Sequence, residues 1–196
     1  MVEVILASGS RVRARLLRNA GVDFDVLTAD VDEVVLKQQH SSSAAGDLAQ
    51  ILAQAKAINV SEGNKEALVI GTDQILECDG KLFDKPVGEE GVRSHLKVLR
   101  GRDHRLISAV CVAEAGEIVW SETAIATLTV RDFDEDYIEH YIKEAGPEVQ
   151  SSVGAYRLEG VGVQLFEKIV GDYFTILGLP MLPLLGYLRQ RRILIS

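Results

Sequence analysis

The stretch Ala67-Leu68-Val69-Ile70-Gly71-Thr72-Asp73 decides the fold, because it reads as a buried strand that delivers one carboxylate. A β-branched run closed by Gly suits a strand covered on both faces, and the carboxyl end of such a strand is where α/β folds hold their ligands. Gln74-Ile75-Leu76-Glu77 and Lys81-Leu82-Phe83 then flank Asp79-Gly80, a pair whose tolerance of positive φ suits a tight hairpin. A hairpin of that length, ending in Asp84-Lys85-Pro86, is expected to return Lys85 towards Asp73, so that an acid and a cation flank one ligand. The competing reading makes Asp73 a turn residue at a strand end and Lys85 a solvated loop lysine.

Working outward, 196 residues are enough for one compact domain spanning 1–196 with a real core. Apolar residues are 47% and charged residues 26%, and the apolar runs break well before membrane-spanning length, so no membrane partner is expected. The first residues carry an acid and lead into a strand, unlike a signal peptide, and a cytoplasmic location is expected. A net charge of −8 argues against broad nucleic-acid binding. Cys78 and Cys111 lie far apart outside any C-x-x-C pattern, and the four His are scattered without metal-ligand spacing, so neither residue type is given a role.

Strands alternate with helices along the chain. Strands are expected at Glu3–Ala7, Arg105–Ala113, Glu117–Val130, Val163–Ile169 and Phe174–Leu177. Helices are expected at Val12–Asn19, Gly46–Val60, Glu89–Leu99 and Asp134–Glu144, with a closing helix from Pro180. The fold class is therefore α/β, with a mixed sheet flanked by helices.

Ser8-Gly9-Ser10 between the first strand and the first helix would expose backbone N–H groups at the positive helix end, which suits a phosphate, with Arg13 beside it. The same serines could simply cap the helix. Asp32-Glu33 closes what reads as an extended segment, and Lys56 sits in the alanine-rich helix among small neighbours; each could equally be a solvated surface charge.

In order, these fragments resemble the Maf family of nucleoside triphosphate pyrophosphatases over nearly the whole chain. The resemblance is carried by Leu6-Ala7-Ser8-Gly9-Ser10-x-x-Arg13, Val31-Asp32-Glu33, Leu52-Ala53-x-x-Lys56-Ala57, Gly71-Thr72-Asp73-Gln74 and Lys85-Pro86. Gly101-x-x-His104, Gly154-Ala155-Tyr156 with Glu159-Gly160, Ile169-x-Gly171-Asp172-Tyr173 and Gly178-Leu179-Pro180 follow. The resemblance implies an elongated, twisted sheet of the Maf and ITPase kind, a homodimer, and hydrolysis of a nucleoside triphosphate between its α and β phosphorus atoms with a divalent cation required. Asp73 would be the proton acceptor, and Arg13, Lys56 and Lys85 would face the charge that builds on phosphate oxygens. Oxygen ligands suit Mg²⁺ or Mn²⁺, with Glu33 and Asp73 the expected metal side.

The chain departs from the commonest family pattern at Arg11 and Val12, at Gln74, at Ser151-Ser152 and at Glu159. Gln74 and Glu159 resemble the 7-methyl-GTP branch rather than the dTTP/UTP branch. A Glu carboxylate can accept two hydrogen bonds from the N1–H and N2–H₂ edge of guanine, and it favours a cationic methylated base. Val12 stands where that branch carries an aromatic residue on which such a base would stack. Ser8, Ser10, Val12, Gln74 and Glu159 are thus the expected substrate contacts. A dTTP/UTP pyrophosphatase, a nucleotide-binding regulator of cell division and an enzyme removing deaminated purines are the competing functions.

Overall fold

A computed structural model describes residues 2–195; Met1 and Ser196, the ends of the expected domain, lie outside the described residues. The chain divides into two compact units. The first takes the chain up to Gln74, Ile107–Ala124 and everything from Tyr173 onward; the second takes Ile75–Leu106 and Ile125–Asp172.

The strands are β1 (Val4–Ala7), β2 (Asp25–Val26), β3 (Leu68–Cys78), β4 (Lys81–Phe83), β5 (Asp103–Glu114), β6 (Glu117–Val130) and β7 (Phe166–Val170). They form one seven-stranded sheet in the order β2-β1-β3-β5-β6-β7, with β4 paired to β3. The sheet is mixed as expected: β1 runs parallel to β2 and to β3, while β4 and β7 pair antiparallel with β3 and β6. The helices are α1 (Arg11–Asn19), α2 (Glu33–Gln39), α3 (Ala45–Gly63), α4 (Gly88–Leu99), α5 (Glu135–Ala145), α6 (Tyr173–Ile176) and α7 (Met181–Gln190). Among the described residues no helix is long and apolar enough to cross a membrane.

In the first unit, alternation along the strands sorts the core onto two faces. Val4, Leu6, Leu68 and Ile70 join Leu16 and Leu17 of α1 with Leu184 and Leu188 of α7 in one buried cluster. The opposite face receives α3, and here the approach is closest at Gly71. A Cβ on Gly71 would lie 2.2 Å from the Ala53 carbonyl oxygen and 2.7 Å from Ala57 Cβ, so the glycine is needed to let the two backbones meet.

In the second unit, Val92, Leu96 and Leu99 of α4 and Ile138, Tyr141 and Ile142 of α5 are buried. The β3–β4 hairpin turns as expected through Asp79 and Gly80, at φ 51° and 76°.

Four local expectations are corrected. β3 does not stop at Asp73 but continues unbroken to Cys78, because the hairpin partner takes over the pairing at Leu76↔Phe83. Asp32 does not close an extended segment: its carboxylate accepts from the backbone N–H groups of Val34 and Val35 and starts α2. Val163–Ile169 is a strand only from Phe166; residues 161–165 form a 3₁₀ turn. Phe174–Leu177 is no strand: Leu177 N–H donates to the Tyr173 carbonyl at 3.2 Å, and the Thr175 and Ile176 carbonyls accept from a side chain rather than from a ladder.

Candidate active site

The parallel pairing of β1 with β3 ends at Ala7↔Gly71, so β1 gives way to the Ser8–Ser10 turn while β3 runs on. Asp73 emerges just past that point. The chain leaves β1 for β2 on one side and β3 on the other, which makes this the switch point where open α/β sheets bind ligands.

Asp73 lies on the Gly71 face, towards α3. Its Oδ1 accepts from Lys56 Nζ at 2.6 Å, and the same ammonium lies 2.7 Å from Glu33 Oε1 at the start of α2. The tight Gly71 contact explains the register, since Ala53 and Ala57 bracket Lys56 on the helix and their fit against the strand sets where the lysine reaches. Asp73 and Lys56 are largely enclosed, whereas the Glu33 side chain is 42% exposed, so the cluster opens outward on the Glu33 side. At an effective dielectric of about 20 the attraction in such pairs is several kcal/mol, much of it offset by desolvation.

The other face of β3 carries Thr72 and Gln74. Arg13 reaches it from α1: Nε donates to the Gly178 carbonyl at 2.8 Å, and Nη1 donates to the Thr72 carbonyl at 3.2 Å and to Ser8 Oγ at 3.4 Å. Thr72 Oγ1 donates to the same Gly178 carbonyl at 3.1 Å. Gly178 sits at φ 91°, and a Cβ there would meet the Arg13 guanidinium at 3.1 Å. Arg13 is therefore a strut between strand and loop as well as a local charge. Burial pushes its pKa down, and the nearby Asp73 and Glu33 carboxylates oppose that shift.

Ser10 caps α1, its Oγ accepting from Arg13 N–H at 3.4 Å, and Ser8 Oγ accepts from Ser10 N–H at 3.3 Å. The turn is thus closed by its own serines at the start of α1. Val12 is half-buried against the α1–α7 core. Gln74 Nε2 donates to Ser108 Oγ and the Thr175 carbonyl, both at 3.0 Å, and to the Ile176 carbonyl at 3.1 Å. Its amide ties α6 to the sheet, on the face opposite Asp73.

Of the residues singled out from the sequence, the first unit brings together Asp73, Lys56 and Glu33 in one cluster and Arg13, Ser8 and Ser10 in an adjoining one. Lys85, exposed on the loop after β4, and Glu159, half-buried with Arg157 Nη2 at 3.4 Å from its Oε1, belong to the second unit. Sequence reasoning gave Thr72 and Gly178 no role of their own, although both lay in its motifs, and it missed Ser108. For Thr72 the signal was available, since positions 72 and 74 alternate with 71 and 73 along one strand and must face the other way.

The second unit holds one more polar pair. His104 Nε2 and Tyr156 Oη lie 2.6 Å apart, both buried, with Phe166 edge-on to the tyrosine. Burial pushes His104 down to about 4 and Tyr156 well above its ordinary 10, so both remain neutral.

Comparison with known proteins places the chain. It is 48% identical over 188 residues to a nucleoside triphosphate pyrophosphatase of Paramagnetospirillum magneticum, covering 95% of this chain and 97% of that one. It is 48% identical over 193 residues to a 7-methyl-GTP pyrophosphatase of Brucella abortus biovar 1, covering 97% of each. A crystal structure of a nucleoside-triphosphatase, a dITP/XTP pyrophosphatase from Mycobacterium abscessus, superposes at a TM-score of 0.38 and 15% identity over 97% of this chain and 94% of that one, a likeness too loose to carry weight. Residues 3–191 match the family described as Maf-like protein, and the chain belongs to that family.

Proposed function

We propose that this protein is a hydrolase that cleaves nucleoside triphosphates to the monophosphate and pyrophosphate, with 7-methyl-GTP-like nucleotides as substrates. The observation that carries this is the Asp73–Lys56–Glu33 cluster, at 2.6 and 2.7 Å, standing at the switch point of the sheet in a Maf-family chain. The relatives named as pyrophosphatases at 48% identity support the reaction class.

In this reading a water oxygen attacks the α-phosphorus, the α–β bridging P–O bond breaks, pyrophosphate departs, and the water proton passes to Asp73. In the resting cluster Asp73 Oδ1 accepts from Lys56 at 2.6 Å. Lys56 and Arg13 balance charge on the phosphate oxygens, and the Ser8–Ser10 turn offers N–H groups at the start of α1.

The donor chemistry fits a divalent cation: Glu33 and Asp73 already share one cation, the Lys56 ammonium. Mg²⁺ or Mn²⁺ bound through one or two carboxylates takes its remaining ligands from phosphate and water. When bound, such an ion supplies charge neutralisation on the phosphates.

Glu159 is the residue proposed to meet the guanine edge, while Val12 offers no ring for a methylated base. With the net charge of −8 the proposal includes a cytoplasmic homodimer that engages neither nucleic acid nor membranes. Pyrophosphate release with added Mg²⁺ or Mn²⁺ tests the reaction. Asp73→Asn should lower kcat by about 10²–10⁴-fold while retaining nucleotide binding. Full turnover in that variant would reject the role of Asp73, and a nucleotide-binding regulator would show binding without turnover in the unaltered protein. Across 7-methyl-GTP, GTP, UTP, dTTP, CTP and ITP, a kcat/KM ranking led by UTP and dTTP would overturn the assignment of Glu159.

A further inference from the structure

The oxygens proposed to hold a divalent ion are already spoken for. Lys56 Nζ contacts Asp73 Oδ1 at 2.6 Å and Glu33 Oε1 at 2.7 Å, so the ammonium lies between the two carboxylates that the metal would need. The backbone that carries the lysine is fixed, because α3 is packed against β3 at Gly71 through Ala53 and Ala57, so any release of the carboxylates comes from the side chain alone. A divalent ion entering here would compete with an ammonium already in place between the two carboxylates. A triphosphate changes that, since it brings negative charge and offers the lysine other oxygens to bind.

We propose that Lys56 is the resident cation of the resting site and excludes the divalent ion until nucleotide arrives, whereupon its ammonium passes from Asp73 and Glu33 to the phosphates. Metal and nucleotide then bind as a linked pair, each raising the affinity for the other by the same factor. The inference rests on the pyrophosphatase reading for the choice of nucleotide, but its test does not use turnover.

Free Mn²⁺ is titrated with the full chain without nucleotide and followed by electron paramagnetic resonance. The unaltered protein should bind weakly, and Lys56→Met should bind at least about tenfold more tightly. Lys56→Arg, which keeps the charge, should stay near the unaltered protein, and adding Asp73→Asn to Lys56→Met should abolish the gain. Lys56→Gln serves if circular dichroism shows that the Met variant has not folded. Equal Mn²⁺ affinity in the unaltered protein and the neutral variants overturns the proposal. A measurement on the unaltered chain checks the same point: the ¹⁵Nζ resonance of Lys56 should be unmoved by Mg²⁺ alone and should move with Mg²⁺ plus α,β-methylene-GTP. Movement with Mg²⁺ alone overturns it too. Failure of the pyrophosphatase reading shows up separately, as absent pyrophosphate release with Lys56 still guarding its carboxylates.

Discussion

Lys56 and Asp73 in the first unit meet at 2.6 Å, and His104 and Tyr156 in the second meet at the same 2.6 Å, yet the two pairs have opposite characters. The first is charged and leads to Glu33, whose side chain is 42% exposed. The second is neutral and sealed, with His104 and Tyr156 only 1% and 4% exposed. Enclosure alone therefore does not make a reactive site. Burial around His104 pushes its pKa away from any working pH and leaves Nδ1 without a hydrogen-bond partner, a cost borne for packing. Around Asp73 the Lys56 ammonium pairs with the enclosed carboxylate, and the cluster opens outward on the Glu33 side.

Removing the cation from the open pair should have a larger effect than any change at the sealed one. Lys56→Met leaves two carboxylates facing each other and takes away a charge from the phosphates, and pyrophosphate release should drop by about 10²–10³-fold. Turnover within threefold of the unaltered protein would mean that the charged cluster, like the neutral one, is structural. Gly71→Ala attacks the same cluster without touching a charge. Its methyl would lie 2.2 Å from the Ala53 carbonyl, so α3 must shift and carry Lys56 with it. A displacement of that kind should cost about 10²-fold in kcat/KM, along with about 1–3 kcal/mol of unfolding free energy. Denaturant titration beside steady-state kinetics separates the two losses, and a fall in stability without a fall in kcat/KM would uncouple the Gly71 fit from the placement of Lys56.

The charged cluster was more legible than the fold around it. Gly-Thr-Asp at the end of an apolar run pointed to Asp73, whereas Lys56 and Glu33 each read equally as solvated charges until the motifs were taken in order, and the approach of Gly71 to Ala53 and Ala57 shows only in the fold. Helix α2 did not, for a physical reason: none of its residues is fully buried and Val34 is 64% exposed, so it has no apolar stripe to give a helical period. Strand β2 is two residues long and pairs with β1 at one end of the strand order. The turn at 173–176 carries the alternation of a short strand, but Gln74 on a distant segment of the chain takes its carbonyls, a tertiary contact that no local pattern encodes. The His104–Tyr156 pair lay in two quoted motifs 52 positions apart, and only folding reveals that they are one feature.

The sealed pair makes a prediction in pH rather than in turnover. In the unfolded chain His104 takes up a proton near 6.5, whereas in the fold it resists until about 4. The unfolded state thus binds more protons between those values, and the fold loses stability as pH falls through that window, by up to about 3 kcal/mol from this residue. His104→Gln removes the titration, so the stability of the unaltered protein relative to the variant should decline from about pH 7 to about pH 4 in thermal unfolding. A constant difference would mean that the imidazole is reached by water after all.

Tyr156→Phe should give the smallest effect and sharpens the contrast most. It removes one hydroxyl from a neutral pair, leaving His104 Nε2 as bare as Nδ1 while the ring packing against Phe166 is kept. Deleting one partner of a buried neutral hydrogen bond costs about 1–3 kcal/mol. That loss should appear in the denaturation midpoint with the slope unchanged, and kcat should stay at the unaltered value. If kcat instead falls with stability intact, the two polar pairs are coupled in function, and the neutrality of the second would have to be understood as a requirement of the reaction rather than of the core.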